Sequence, residues 1–220
     1  YTIASAMLIE ITLISAQAAR AVPSHFNYST PLNSTIVALM GLTITINTFV
    51  VAYVLYRIVR HPPDFAPAYL WGVWLGLFVF VLASLEGWVM IGYDGHSVGA
   101  PAGGPGLPLL NWSLTGGDLR IAHFIGMHAL QILPLTGYAA TRWKKTSTRE
   151  SLWVVAGVAL LYGTLVGGTF VWALLGNPLV PSLPTLSMAT IFSGSFLLVA
   201  PFWAMMILAP TWNVTERVVD

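Results

Sequence analysis

Gly116-Gly117-Asp118-Leu119-Arg120-Ile121-Ala122-His123-Phe124-Ile125-Gly126-Met127-His128-Ala129-Leu130-Gln131 opens an apolar run long enough to cross a bilayer, yet it carries an arginine, two histidines and a glutamine. About 20 apolar residues make a membrane-spanning helix, and ionisable residues inside one are costly and usually face a cavity or one another. The stretch therefore points to the fold class, an all-α polytopic membrane helical bundle, and to the place where a site should lie.

Composition agrees with that reading. The 220-residue chain is 56% hydrophobic and 8% charged, with a mean hydropathy of +0.77, far from the charged quarter typical of soluble domains. A formal net charge of +1 leaves no basic stripe to neutralise phosphates, which argues against nucleic acid as a partner. The absence of cysteine rules out disulfides, thiolate metal sites, iron–sulfur ligation and cysteine nucleophiles. Tyr1 already lies inside an apolar run and is not a methionine, so a further N-terminal segment is expected ahead of it.

Apolar runs give about six transmembrane spans in one domain over 1–210, at roughly 1–19, 35–58, 67–91, 119–141, 152–176 and 185–209, followed by a short tail, 211–220. Arg57, Arg60 and His61 fall between spans two and three; Arg142, Lys144, Lys145 and Arg149 fall between spans four and five. The positive-inside rule makes both connections cytoplasmic, and with them the C-terminus, in what is expected to be a bacterial inner (plasma) membrane. On the outer side the connection 92–118 is rich in Gly and Pro, which forbids a regular helix. It reads either as a lid or cap or as a floppy connector. Trp71, Trp74, Trp88, Tyr93, Trp112, Trp143 and Trp153 sit near span ends as interfacial anchors. Gly163 and Gly167 suggest a close helix crossing, and Pro134 and Pro201 suggest kinks. Asn27, Asn33 and Asn111 open N-x-S/T triplets, which have meaning only in a secretory eukaryotic context.

Depth along the spans groups the polar residues. Gln17, Glu86 and His123 lie in the outer third, Glu10 and His128 nearer the middle, and Gln131 and Asn47 as deep or slightly deeper. His123, Met127 and Gln131 share a helix face, whereas His128 stands about 140° around from His123 and about 7.5 Å deeper, so the two histidines cannot readily hold one ion. Each residue also has a plainer role. Asp118 reads as the N-cap of span four, and Arg120 as a snorkelling residue or a partner for Glu86 or Asp118. His123 and His128 can be satisfied interior histidines, and Glu10 and Glu86 neutral groups in helix packing. His25, His61 and His96 read as loop residues on the surface, His25 being the one close to the outer end of span one.

Arg120-Ile121-Ala122-His123-Phe124, followed by Leu135-Thr136-Gly137, resembles a haem-bearing helix of membrane b-type cytochromes, in which R-x-x-H-aromatic opens a span and Thr-Gly lies near its other end. The resemblance covers about 20 residues and implies haem b, with His123 as axial ligand and Arg120 meeting a propionate. That family supplies further histidines from other spans, and here no other expected span has one. A second ligand would come from His25, from Met7, Met40, Met90 or Met188, or from Met127 of a neighbouring copy, or the haem would have no sixth ligand.

Several functions follow. The leading one is a membrane cofactor-binding protein in redox chemistry, through haem b or quinone-linked electron transfer, with Arg120, His123, His128 and Gln131 at the cofactor and Glu10 and Glu86 as catalytic proton-handling groups. A second is a metal-dependent membrane enzyme in which Glu10, Glu86, His123 and His128 ligate Zn, Fe, Mn or Cu. The others are a proton- or cation-coupled transporter and a structural subunit of a membrane complex. The lipid bilayer is the common partner; a quinone or a membrane complex is expected in the redox case.

Overall fold

The computed structural model describes residues 1–142 and 147–179, together with positions 193, 195–197 and 200. The elements in order are α1 (Thr2–Ala19), α2 (Pro31–Arg60), α3 (Pro67–Gly92), β1 (Ser97–Val98), β2 (Gly117–Asp118), α4 (Leu119–Met127), α5 (Ala129–Arg142) and α6 (Thr148–Leu174). Four of them, α1, α2, α3 and α6, are each long and apolar enough to cross a membrane, so the protein is helical and suited to lipid. The expected span 185–209 with Met188 and Pro201, the tail 211–220, and Trp143, Lys144 and Lys145 lie outside the described residues.

Capping chemistry, more than hydropathy, sets where helices begin. α2 starts at Pro31, ahead of the expected 35, because Thr30 Oγ1 accepts from Asn33 N at 3.2 Å and Pro31 has no N–H to satisfy. α6 starts at Thr148 and not 152 because Ser147 and Glu150 cap each other: Ser147 N donates to Glu150 Oε2 at 2.6 Å and Glu150 N to Ser147 Oγ at 3.3 Å.

The expected fourth span, 119–141, is two helices end to end. His128 N donates to both Phe124 O and Ile125 O, and His128 O receives both Gln131 N and Ile132 N. This tightening into three-residue turns separates α4 from α5 at His128. Pro134, where a kink is expected, lies inside α5. It has no N–H for the carbonyl of Leu130, and the distortion appears on the N-terminal side of its ring.

α3 is the central helix, packed against α2, α4, α5 and α6, while α1 packs on α2. The core joins Ala68, Leu75 and Val79 of α3, Ala129, Leu133 and Ala140 of α5, and Val155, Ala159 and Val166 of α6. The tightest crossing is between α3 and α5. A Cβ on Gly72 would overlap Leu133 O, and one on Gly137 would overlap Ala68 O, so each helix lays backbone directly on the other. Of the pair Gly163 and Gly167, where the sequence suggests a close crossing, a Cβ on Gly167 would meet Ser195 at an ordinary 3.8 Å.

Residues 93–118 fold into a cap. β1 pairs antiparallel with β2, Ser97 opposite Asp118, and Gly106 bridges Ser113. A Cβ on Gly117 would run into Ala173 O, so the cap sits directly on the end of α6. Phe26 and Val98 pack on buried Met90, Leu119 and Ala173, which brings the 20–30 loop to the same end of the bundle.

Candidate functional site

The first polar cluster at the cap end is built around Asp118. Its side chain accepts from Arg120 N at 3.1 Å, capping α4 as the sequence predicts, and from Ser113 N at 2.9 Å. Arg120 grips the same carboxylate with Nε at 2.9 Å and an outer nitrogen at 2.6 Å, and also donates to Asn111 O. His96 Nδ1 lies 3.5 Å from Asp118 Oδ1; His96 is half-buried there, not on the surface as expected. Burial pushes the Asp118 carboxyl up, but the bonds from Arg120, His96 and Ser113 outweigh it and hold the group well below the usual carboxylate range. Arg120 thereby pairs with Asp118, the second of the two partners its sequence position suggests.

The second cluster ties α1 to α2. Gln17 Nε2 donates to Asn33 Oδ1 at 3.3 Å, Arg20 donates to Gln17 Oε1 and, at 2.9 Å, to Asn33 Oδ1. Asn33 Nδ2 donates to Ser29 Oγ at 2.9 Å, and Ser29 Oγ to Asn27 Oδ1 at 2.7 Å. Sequence reasoning missed this network. Its trace is the crowding of Gln17, Arg20, Asn27 and Asn33 at the facing ends of two apolar runs. Asn27 and Asn33 are buried, with their side chains engaged in these hydrogen bonds.

The candidate site lies deeper, where His25 of the 20–30 loop stands between Glu10 of α1 and His123 of α4, the latter resting on α3. Glu10 Oε1 is 3.7 Å from His25 Nε2, with the Glu10 side chain 14% and the His25 side chain 52% exposed. His25 is close enough to His123 for the two rings to interact electrostatically. His123 Nδ1 stands 2.6 Å from Ala83 O, and its Cε1 lies 4.0 Å from where a Cβ on Gly87 would be. The ring thus rests on one turn of α3, the turn that carries Glu86. Loop folding brings His25 into the group, and no periodicity in the sequence could announce it.

Five buried side-chain atoms have no hydrogen-bond partner among the described residues: Glu10 Oε2, Asn47 Oδ1 and Glu86 Oε2, together with Trp74 Nε1 on α3 and Thr164 Oγ1 on α6. The bond from Trp88 Nε1 to Thr45 Oγ1 at 3.3 Å fixes α2 against α3, and Asn47 and Glu86 each lie about 3 Å deeper than that bond on their antiparallel helices. Unpaired buried acceptors cost about 1–3 kcal/mol each.

His128 and Gln131 do not join the site. Both are exposed on the outer face of α4 and α5. His128 Nδ1 is 2.7 Å from Phe124 O, and its ring is stacked on Phe124 with centroids 4.3 Å apart. Among the described residues no group of three or more His, Asp or Glu side chains is placed to hold a metal ion. Glu10, Glu86, His123 and His128 therefore do not gather into one ligand set.

A family model described as ABA DEFICIENT 4-like matches residues 190–220, and the likeness is confined to that stretch. No curated protein and no solved structure matches the chain.

Proposed function

We propose that the chain is a multi-pass membrane protein carrying quinone-linked redox chemistry at a site in the half of the bundle nearest the cap, with His123 meeting the bound quinone. The observation that carries this reading is the bond from His123 Nδ1 to Ala83 O. A carbonyl oxygen only accepts, so Nδ1 holds the ring proton and Nε2 keeps its lone pair. A ring oriented in this way can accept a quinol hydroxyl at Nε2. Oxidation of a quinol to a quinone releases two electrons and two protons; His123 Nε2 can accept the first proton, Glu10 and Glu86 can relay protons outward to solvent, and a partner in a membrane complex takes the electrons.

The same ring orientation suits axial ligation of haem b, but Arg120 is already held by Asp118, which weakens the haem variant. A site for Zn, Fe, Mn or Cu has less support, since the described residues offer no set of three ligands. In this reading α4 and α5 together form one span and 185–209 a sixth. The basic connections then face the cytoplasm of a bacterial inner membrane and the cap faces outward.

The test is an organic extract of detergent-purified protein, read by its oxidised-minus-reduced ultraviolet spectrum, beside a dithionite-reduced visible spectrum of the intact protein. The expected result is a quinone in the extract that is lost in His123→Leu, with no α band in the visible. A reduced α band would assign His123 to haem b. Neither signal, in folded protein, removes the redox reading.

A second reading, proton- or cation-coupled transport, is favoured by the unpaired carboxyl oxygens of Glu10 and Glu86 inside apolar helices. It predicts pH-dependent flux in liposomes that Glu10→Gln abolishes.

A further inference from the structure

The exposed faces of the helices differ in chemistry. On α2 and α6 the exposed central residues are apolar, among them Leu39, Leu42, Ile46, Leu161 and Leu165. On α4 and α5 the exposed stripe runs Phe124, His128, Gln131, Leu135 and Tyr138, at helical spacings that keep it on one side. Phe124 is 48% and Leu135 62% exposed. An imidazole and a carboxamide thus lie in the middle of an otherwise apolar outward face. Beyond the bond from His128 Nδ1 to Phe124 O, neither side chain has a polar partner among the described residues. In hydrocarbon such groups are costly unless another protein surface satisfies them.

Their chemistry specifies what can cover them. Since Phe124 O only accepts, His128 Nδ1 carries the ring proton and Nε2 is left as an acceptor. Gln131 carries the matching donor in its amide N–H₂. It lies about 4.5 Å deeper than His128, and because the His128 ring leans toward Phe124 O, an extended Gln131 side chain has to span that offset to reach a facing His128. The stack of Trp112 edge-on to Phe124 at 6.0 Å, with Phe124 on His128, holds the imidazole in place. The face is therefore self-complementary. A two-fold axis along the membrane normal makes two identical bonds, from Gln131 of each copy to His128 Nε2 of the other, as an isologous contact requires.

We propose that this face is the interface of a homodimer, paired across the α4–α5 break by reciprocal Gln131 to His128 hydrogen bonds and flanked by Leu135 and Ile132. The proposal rests on α4 and α5 together spanning the membrane, and it is independent of what His123 binds.

The chain's lack of cysteine makes the test clean. Leu135→Cys and, as a control on another face, Leu42→Cys are introduced singly into the full chain and oxidised in liposomes at falling protein-to-lipid ratios. The expected result is a disulfide dimer from Leu135→Cys that persists on dilution, and none from Leu42→Cys. His128→Leu and Gln131→Leu should each weaken dimerisation about five- to ten-fold, from two lost bonds of ~0.6 kcal/mol. A mixture of the two variants should form the heterodimer in preference to either homodimer, because only the mixed pair keeps one Gln131 to His128 bond. Dimers through Leu42→Cys instead, or a mixture with no heterodimer preference, would overturn the pairing. Rapid labelling of Gln131→Cys by a membrane-impermeant maleimide would overturn the spanning placement itself. Unlabelled protein that stays monomeric would overturn the pairing alone.

Discussion

Where the upper ends of α1 and α2 meet, Gln17, Arg20, Asn27, Ser29 and Asn33 pass hydrogen bonds from one to the next; about 10 Å deeper on α1, Glu10 keeps a buried oxygen with no partner, as do Asn47 on α2 and Glu86 on α3. Both groups are polar residues in an apolar bundle, and composition does not separate them. Satisfaction does. The first cluster spends its donors and acceptors on joining two helices, as the Asp118 hub spends its own on joining the cap to α4. The second group leaves acceptors open at a cost that packing alone does not repay, beside an imidazole whose Nε2 is also open. Saturated polar clusters here serve structure, whereas Glu10 and Glu86 keep open oxygens near His25 and His123, as Trp74 Nε1 and Thr164 Oγ1 stay open elsewhere in the bundle.

That contrast breaks most visibly at Asp118. Replacing it by Ala removes the α4 cap and strands Arg120, so stability should fall by about 3 kcal/mol, measured by thermal or denaturant unfolding in detergent. Asn33→Leu should cost about 2 kcal/mol, because it leaves Gln17, Arg20 and Ser29 short of partners. Acid should act through the same hub. The Asp118 carboxyl sits below its unfolded value of about 3.9, so its contribution is fully present above that value and is lost as pH falls through the folded one. The unfolding midpoints of wild type and Asp118→Asn should accordingly converge as pH drops below about 4, and a constant gap would show that the hub does not titrate as a unit. On the other side of the comparison, Asn47→Leu and Glu86→Gln should change stability by less than about 1 kcal/mol, in either direction, since no native bond is lost. Glu86→Gln should nevertheless abolish quinone turnover or flux. A loss of 2 kcal/mol or more in both would make these residues structural and dissolve the contrast. The smallest effect belongs to Trp88→Phe, whose exposed bond to Thr45 is worth no more than about 0.5 kcal/mol.

Much of the helical layout was legible because a lipid-facing helix is apolar all round and about 20 residues long, a signal that survives ignorance of its neighbours. Thr2–Ala19 and Pro67–Gly92 match the expected spans closely. The starts of α2 and α6 were missed by a few residues because Thr30, Ser147 and Glu150 cap helices through polar contacts that hydropathy does not register. The division of the fourth span was missed because α4 and α5 are one continuous apolar run in sequence. At the site, Glu10, Glu86, His123 and His128 were grouped by depth alone and His25 was noted for its position, but a loop's path across the bundle has no period. Arg120 was read as a partner for a cofactor or for an acid, and only geometry chose Asp118.

The amino-acid sequence by itself determined that the chain is helical, that it suits a bilayer, and which few polar residues must be accounted for inside it, because burial in hydrocarbon filters residue types without regard to partners. Tertiary structure alone decided which of those residues are satisfied. Hydrogen bonding is directional and acts over about 3 Å, so whether Asp118 is saturated, Glu86 is not, and His128 faces outward depends on how the helices are turned and where the loops cross.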